Sequence, residues 1–295
     1  MKKILFKGCG TAIVTPFTDD GINFEEYKKL VEFQIAEGTD AIIVCGTTGE
    51  SSTMTNEERK NLIKYTVQIV DSRVPVIAGT GANNTLSTIE LSKYAQSVGV
   101  DGLLIVTPYY NKTTPEGLIA HYSAIAKEVT IPIILYNVPS RTGVNITPEV
   151  CLELSKISNI VAIKEASGNI SQVAQIASLC KDDLNIYSGN DDQIVPILSL
   201  GGIGVISVLS NIEPKFTHKM VYDFLDGNLE SAKKSQLQSL DLINTLFCEV
   251  NPIPIKEALN IKGYNFGTPR LPLVKLSTKN QDKLIKSMEN FSKLC

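Results

Sequence analysis

The chain is predicted to be an α/β protein, a (β/α)8 TIM barrel followed by a small C-terminal helical domain. Three observations carry that prediction: eight short apolar runs recur along the chain, amphipathic stretches of helical period separate them, and the strand-like pattern stops after the eighth. The run ends, near Thr15, Gly46, Gly79, Thr107, Tyr136, Lys164, Ser188 and Ile206, are spaced 31, 33, 28, 29, 28, 24 and 18 residues apart. One βαβ step takes ~30 residues, and eight such units close a barrel.

In chain order the runs are Thr11-Ala12-Ile13-Val14, Ala41-Ile42-Ile43-Val44-Cys45, Val76-Ile77-Ala78 and Leu103-Leu104-Ile105-Val106, then Ile133-Ile134-Leu135, the segment ending at Lys164, Leu184-Asn185-Ile186-Tyr187 and Ile203-Gly204-Val205. Between them, Thr55-Asn56-Glu57-Glu58 reads as a capping box opening a helix through about Val70. Thr147-Pro148-Glu149 opens another, with proline in its first turn. From about Asn228 the pattern is helical, broken by Asn251-Pro252-Ile253-Pro254 and by a loop over 263–272. The expected division is a catalytic barrel over 1–227 and a helical domain over 228–295.

Composition narrows the function classes. With 295 residues, 43% hydrophobic and 20% charged, the chain can bury a full core. A net charge of −3, with lysines alternating with acids, provides no basic field, so nucleic acid is not an expected partner. Met1-Lys2-Lys3-Ile4-Leu5-Phe6-Lys7 is too poor in apolar residues for a signal-peptide core, and no run approaches the ~18 apolar residues of a membrane span. The six cysteines, Cys9, Cys45, Cys151, Cys180, Cys248 and Cys295, include no Cys-x-x-Cys pair, which fits reduced thiols in a cytoplasmic protein. His121 and His218 lie far apart on helical segments and read as surface or satisfied helix residues. No metal and no cofactor are expected.

Lys164 is the most informative position. It ends Asn159-Ile160-Val161-Ala162-Ile163-Lys164, a stretch apolar enough for a strand buried on both faces. Burial disfavours the charged form of an amine and makes it a usable nucleophile toward a ketone, which is the start of Schiff-base chemistry.

The other polar residues at strand ends meet over the same barrel mouth. They are Thr47 and Thr48 after strand two, Tyr109 and Tyr110 after strand four, Tyr136 at strand five, Gly189 after strand seven and Ile206 at strand eight. Singly, turn chemistry explains the threonines and a packed barrel mouth explains Tyr136. Together they surround one amine with hydroxyls, and Schiff-base formation, dehydration and enamine formation each need a proton moved. Thr47-Thr48-Gly49-Glu50 also offers consecutive backbone N–H groups to a small carboxylate. Arg141, in the loop after strand five, could grip a second carboxylate in a fork. From the residues alone, an exposed arginine with no ligand explains it equally well.

Three segments carry a resemblance: Gly46-Thr47-Thr48-Gly49-Glu50, Tyr136-Asn137-Val138-Pro139 through Arg141-Thr142-Gly143, and Ile163-Lys164-Glu165-Ala166-Ser167-Gly168. They resemble the signature segments of the pyruvate-dependent class I aldolase superfamily, which includes the dihydrodipicolinate synthase and N-acetylneuraminate lyase families. Val106-Thr107-Pro108-Tyr109-Tyr110 and the 251–254 segment extend the likeness over essentially the whole chain, and the first of those families is the nearer.

The resemblance implies condensation of pyruvate with L-aspartate-4-semialdehyde, giving 4-hydroxy-tetrahydrodipicolinate on the way to diaminopimelate and lysine. It implies that Lys164 carries the Schiff base and that Tyr136, Thr47 and Tyr110 form a proton relay, with Tyr110 reaching into a neighbouring subunit. Thr48 would hold the pyruvate carboxylate, Arg141 that of the semialdehyde, and Gly189 and the Ile206 carbonyl would shape the pocket. A homotetramer built as a dimer of dimers is implied as well. The alternative is a sugar-acid aldolase of the neuraminate lyase or keto-deoxy-sugar type, against which Arg141 discriminates; a pyruvate-binding sensor would have no use for the desolvated lysine. Asn56, Arg59 and Ser87 depart from the pattern of lysine-inhibited relatives, although Ser51, Asn83 and Tyr109 remain, and this implies weak or no inhibition by lysine.

Overall fold

The computed structural model describes residues 2–294. Eight of its strands are parallel: β1 (Gly8–Ala12), β2 (Ala41–Val44), β3 (Val76–Gly79), β4 (Gly102–Val106), β5 (Ile133–Asn137), β6 (Ile160–Glu165), β7 (Asn185–Ser188) and β8 (Gly204–Ser207). Each pairs with its neighbour in sequence, and β8 returns to β1 with Gly8 opposite Gly204, closing the barrel.

Seven strands fall on the predicted runs. The first begins earlier, at Gly8 instead of Thr11, and ends at Ala12. The reason is that interior side chains pack directly on the strand: a Cβ at Gly10 would stand 2.6 Å from Ile43 Cδ1 and 2.8 Å from Phe6 Cζ. Glycines that make room in this way contribute no apolar signal, so hydrophobicity marked only the far end of the strand. A short antiparallel ribbon, Phe17–Thr18 with Gly21–Ile22, follows β1 and was not anticipated.

Alternation along the strands builds two layers. Ile43, Ile77, Leu104, Ile134, Ala162 and Ile206 fill the barrel interior, and Phe6 stacks on Tyr187 with ring centroids 4.4 Å apart. Ile42, Val44, Leu103, Ile105, Leu135 and Ile163 face the surrounding helices. The same parity places Tyr136 and Lys164 on the inner face, and their neighbours Asn137 and Glu165 on the outer one.

The helix Asn56–Val70 opens with the predicted capping box, Thr55 and Glu58 each satisfying the other's backbone N–H. Such a cap stabilises a helix by about 1 kcal/mol. Thr147 caps Pro148–Ser155 one way, its side chain accepting from the Val150 N–H. Beyond β8 the elements are helical: Pro214–Leu225, Leu229–Leu246, Ile253–Ile261 and Thr278–Ser292, with Leu229–Leu246 packed on Pro214–Leu225 and on Thr278–Ser292.

His218 pairs with Asp40 at 2.8 Å on the outside of the barrel. His121 is more deeply buried than expected for a helix histidine, with Nδ1 2.9 Å from Thr85 Oγ1 and, among the described residues, no partner for Nε2. Cys9, Cys45, Cys151, Cys180 and Cys248 are free thiols; Cys295 lies outside the described residues. Among the described residues no helix is long and apolar enough to cross a membrane, and no cluster of three His, Cys, Asp or Glu could hold a metal.

Candidate active site

The strand ends of β5 and β6 set the centre of the site. Tyr136 and Lys164 are register partners, so their inward side chains lie side by side. The Lys164 ammonium sits over the Tyr136 ring, 4.5 Å from its centroid, and the lysine is only 5% exposed. A nitrogen over an aromatic face is held there electrostatically, which keeps the lysine side chain in place beside Tyr136.

The outer faces of the same two strand ends lock them together. Asn137 Nδ2 donates to Glu165 Oε2 at 3.0 Å, and the carboxylate also accepts from Gln172 Nε2 at 3.1 Å and from the Ser167 N–H at 2.6 Å. Asn137 Oδ1 in turn accepts from the Ile146 N–H. A fully satisfied buried network of this kind rigidifies the backbone that carries Tyr136 and Lys164.

Gly189, in the turn after β7, lies against the lysine. A Cβ there would stand 3.1 Å from Lys164 Cε, 3.0 Å from the Glu165 carbonyl oxygen and 2.6 Å from Ala166 Cβ. Only glycine leaves the aliphatic stem of Lys164 its place. Ile206 is buried in β8 within the same interior cluster as Tyr136. Behind the end of β8, Asp191 accepts from the N–H groups of Val208 and Leu209, and burial pushes its carboxyl up from the usual range.

The turn over 46–50 forms the opposite wall. Gly49 and Glu50 donate their amides back into the turn, whereas among the described residues the Thr47 and Thr48 amides donate to no group. Cys45 and Glu50 both adopt left-handed conformations, with φ of 55° and 56°. Such a turn leaves consecutive N–H groups free to receive an anion. Thr47 and Tyr136 line one small cavity of about 40 Å³, which brings two of the predicted hydroxyl residues together.

Thr48 is buried, and its Oγ1 accepts from Asn251 Nδ2 at 3.0 Å. Arg141, in the short helix Pro139–Thr142, donates through Nη2 to the Asn251 carbonyl at 3.3 Å. Asn251 therefore ties the turn to the arginine. Its role was missed because its partners lie 203 and 110 positions away in sequence. The Asn137–Glu165 network was also missed, although strand parity could have placed both residues on the outer face.

Thr47 and Arg141 share a cleft of about 500 Å³ with Ser51, Asn56, Arg59, Asn83, Ser87 and Tyr109. Burial lowers the pKa of the Arg59 guanidinium, whose Nη2 donates to the Gly79 carbonyl at 3.1 Å. Tyr110 stands apart from the lysine rim of its own chain. It is 90% exposed, in a left-handed conformation with φ of 70°.

Residues 5–291 match the model of the Dihydrodipicolinate synthetase family. The chain belongs to that family.

Similarity to individual family members extends over nearly the full length. The 4-hydroxy-tetrahydrodipicolinate synthase of Clostridium novyi is 56% identical over 289 residues, covering 98% of each chain. The crystal structure of a dihydrodipicolinate synthase from Thermotoga maritima superposes with a TM-score of 0.96 at 43% identity, covering 98% of this chain and 99% of that one. A chloride-inhibited dihydrodipicolinate synthase from Acinetobacter baumannii, complexed with pyruvate, superposes with a TM-score of 0.94 at 41% identity, covering 97% and 99%. Membership of the dihydrodipicolinate synthetase family thus agrees with the fold and with the segments first noticed in the sequence.

Proposed function

We propose that this protein is a lyase of the Schiff-base aldolase type that condenses pyruvate with L-aspartate-4-semialdehyde to give 4-hydroxy-tetrahydrodipicolinate, for diaminopimelate and lysine biosynthesis. The observation that carries the reading is the Lys164 amine, buried beside Tyr136 on adjacent strand ends and cleared by Gly189. The family's synthases, and the pyruvate in one of the structural relatives, support the choice of substrates.

In this reading the Lys164 amine attacks the pyruvate ketone, the carbinolamine loses its hydroxyl as water, and the imine loses a methyl proton to become an enamine. The enamine carbon bonds to the aldehyde carbon, whose oxygen takes a proton and remains as the 4-hydroxyl. The semialdehyde amine then displaces Lys164 from the imine carbon and closes the ring, so that one water is released overall. Tyr136 and Thr47 relay the protons, with Tyr110 contributed by a second subunit. Thr48 and the free amides of 47 and 48 bind the pyruvate carboxylate, while Arg141 takes that of the semialdehyde. Gly189 and Ile206 bound the pocket around the lysine.

The same reading divides the chain into a catalytic barrel over 1–227 and a helical domain over 228–295. It takes small molecules as substrates, uses no metal or cofactor, and assigns a cytoplasmic homotetramer arranged as a dimer of dimers. Borohydride reduction with pyruvate tests it directly. One reduced pyruvyl adduct at Lys164, with turnover of the semialdehyde and none of N-acetylneuraminate, is the expected result. An adduct on another lysine, or none, ends the mechanism.

A further inference from the structure

Two fully buried charges lie outside the chemistry described above. Glu50 ends the 46–50 turn and is 1% exposed, while Lys256, on the helix Ile253–Ile261, is completely buried. Lys256 Nζ donates to Glu50 Oε1 at 2.7 Å, and the Arg270 backbone N–H donates to Oε2 at 2.9 Å. The two donors come from 206 and 220 positions further along the chain. Both cations also rest on the Phe17 ring, at 4.2 and 4.0 Å from its centroid, and the Arg270 fork is held by both oxygens of Glu58.

An ion pair this dry is a poor source of net stability, because the desolvation of two charges offsets their attraction. What it supplies is position. Both oxygens of one carboxylate are fixed by separate donors, and that carboxylate belongs to the left-handed residue that closes the turn. The free amides of Thr47 and Thr48 lie three and two residues away in the same turn.

We propose that Lys256 is a positioning residue: by anchoring Glu50 it holds the Thr47 and Thr48 amides in the geometry that receives the carboxylate of the 2-oxo acid. The inference rests on the reading of that turn as the pyruvate carboxylate site. Lys256 itself touches neither substrate nor reacting atoms. The affinity of the barrel for a carboxylate is on this view set partly by the helical segment that follows it.

The test separates position from stability by comparing Lys256→Met with the double variant Glu50→Gln/Lys256→Met. The single variant strands a buried carboxylate. It should melt lower and need about tenfold more pyruvate for half-maximal borohydride trapping and for turnover, with kcat little changed. The double variant strands no charge, so its Tm should return toward the wild-type value while the pyruvate KM stays raised and the semialdehyde KM stays normal. A double variant with wild-type pyruvate dependence overturns the proposal, as does a single variant whose Tm falls with no change in KM. If the single variant does not fold, the double variant decides alone. Wild-type protein that fails to trap pyruvate would remove the parent reading, and this one with it; normal wild-type trapping beside an unchanged double variant overturns only the anchor.

Discussion

Tyr136 and Lys164 face each other across the β5–β6 ladder, so the lysine Nζ rests 4.5 Å from the centroid of the phenol ring. Tyr136→Phe keeps the ring and removes only the hydroxyl proposed to carry a proton. We expect kcat to fall by roughly 10²-fold or more, the contribution of one acid–base group, with the Tm unchanged. Borohydride trapping should be slowed but still map to Lys164. A variant with wild-type kcat would remove Tyr136 from the relay.

Arg141 is exposed, and among the described residues its side chain donates only to the Asn251 carbonyl. Its charge is therefore available to a ligand. Arg141→Ala should cost about 1.5–3 kcal/mol of semialdehyde binding, a rise of roughly 10- to 100-fold in that KM, and leave pyruvate trapping normal. Equal loss of both would make the residue structural.

Tyr110 is too exposed to serve the lysine of its own chain. Inactive Tyr110→Phe subunits mixed with inactive Lys164→Ala subunits should regain activity, because one site in each mixed pair receives both intact groups. Verified subunit exchange without recovery would count against a shared site.

The cleft beside Thr47 contains Arg59 and Ser87 along with Ser51, Asn83 and Tyr109. A half-buried guanidinium in that wall repels a cationic ligand, and a serine offers it no countercharge. Lysine at submillimolar concentration should leave turnover essentially unchanged under saturating pyruvate. Half-inhibition in that range would show that other contacts compensate.

Burial lowers the pKa of His121 from 6.5 to about 4. The unfolded chain takes up this proton near its ordinary value while the folded chain resists it. The stability contributed by the neutral ring is therefore present above about 6.5 and is lost as pH falls toward 4. His121→Asn does not titrate there and should show a shallower loss of Tm over that interval. Coincident slopes for variant and wild type would refute a neutral buried His121.

How much of this was legible in the sequence follows from where each signal resides. Lys164 was visible because its own strand is apolar on both sides, and the β5 and β6 ends could be aligned by run spacing alone. β1 was misplaced at its start because Gly8 and Gly10 carry packing information without hydrophobicity. The turn at 46–50 could be picked out in the sequence as a candidate carboxylate cradle. Its fastening to Asn251, Lys256 and Arg270 was not, since those contacts span more than two hundred residues and no periodicity encodes them.

The seam of the barrel has a consequence during synthesis. Residues 8–11 of β1 find their partners at 204–207, so one edge of β1 stays open until the eighth strand has been made. At typical translation speeds that wait is about 10–40 s. An open strand edge invites pairing with other nascent chains. Two of the five residues of β1 are glycines, which weaken a strand that lacks its proper neighbour. The glycines that let the finished barrel close tightly also make its unfinished edge a poor template for aggregation.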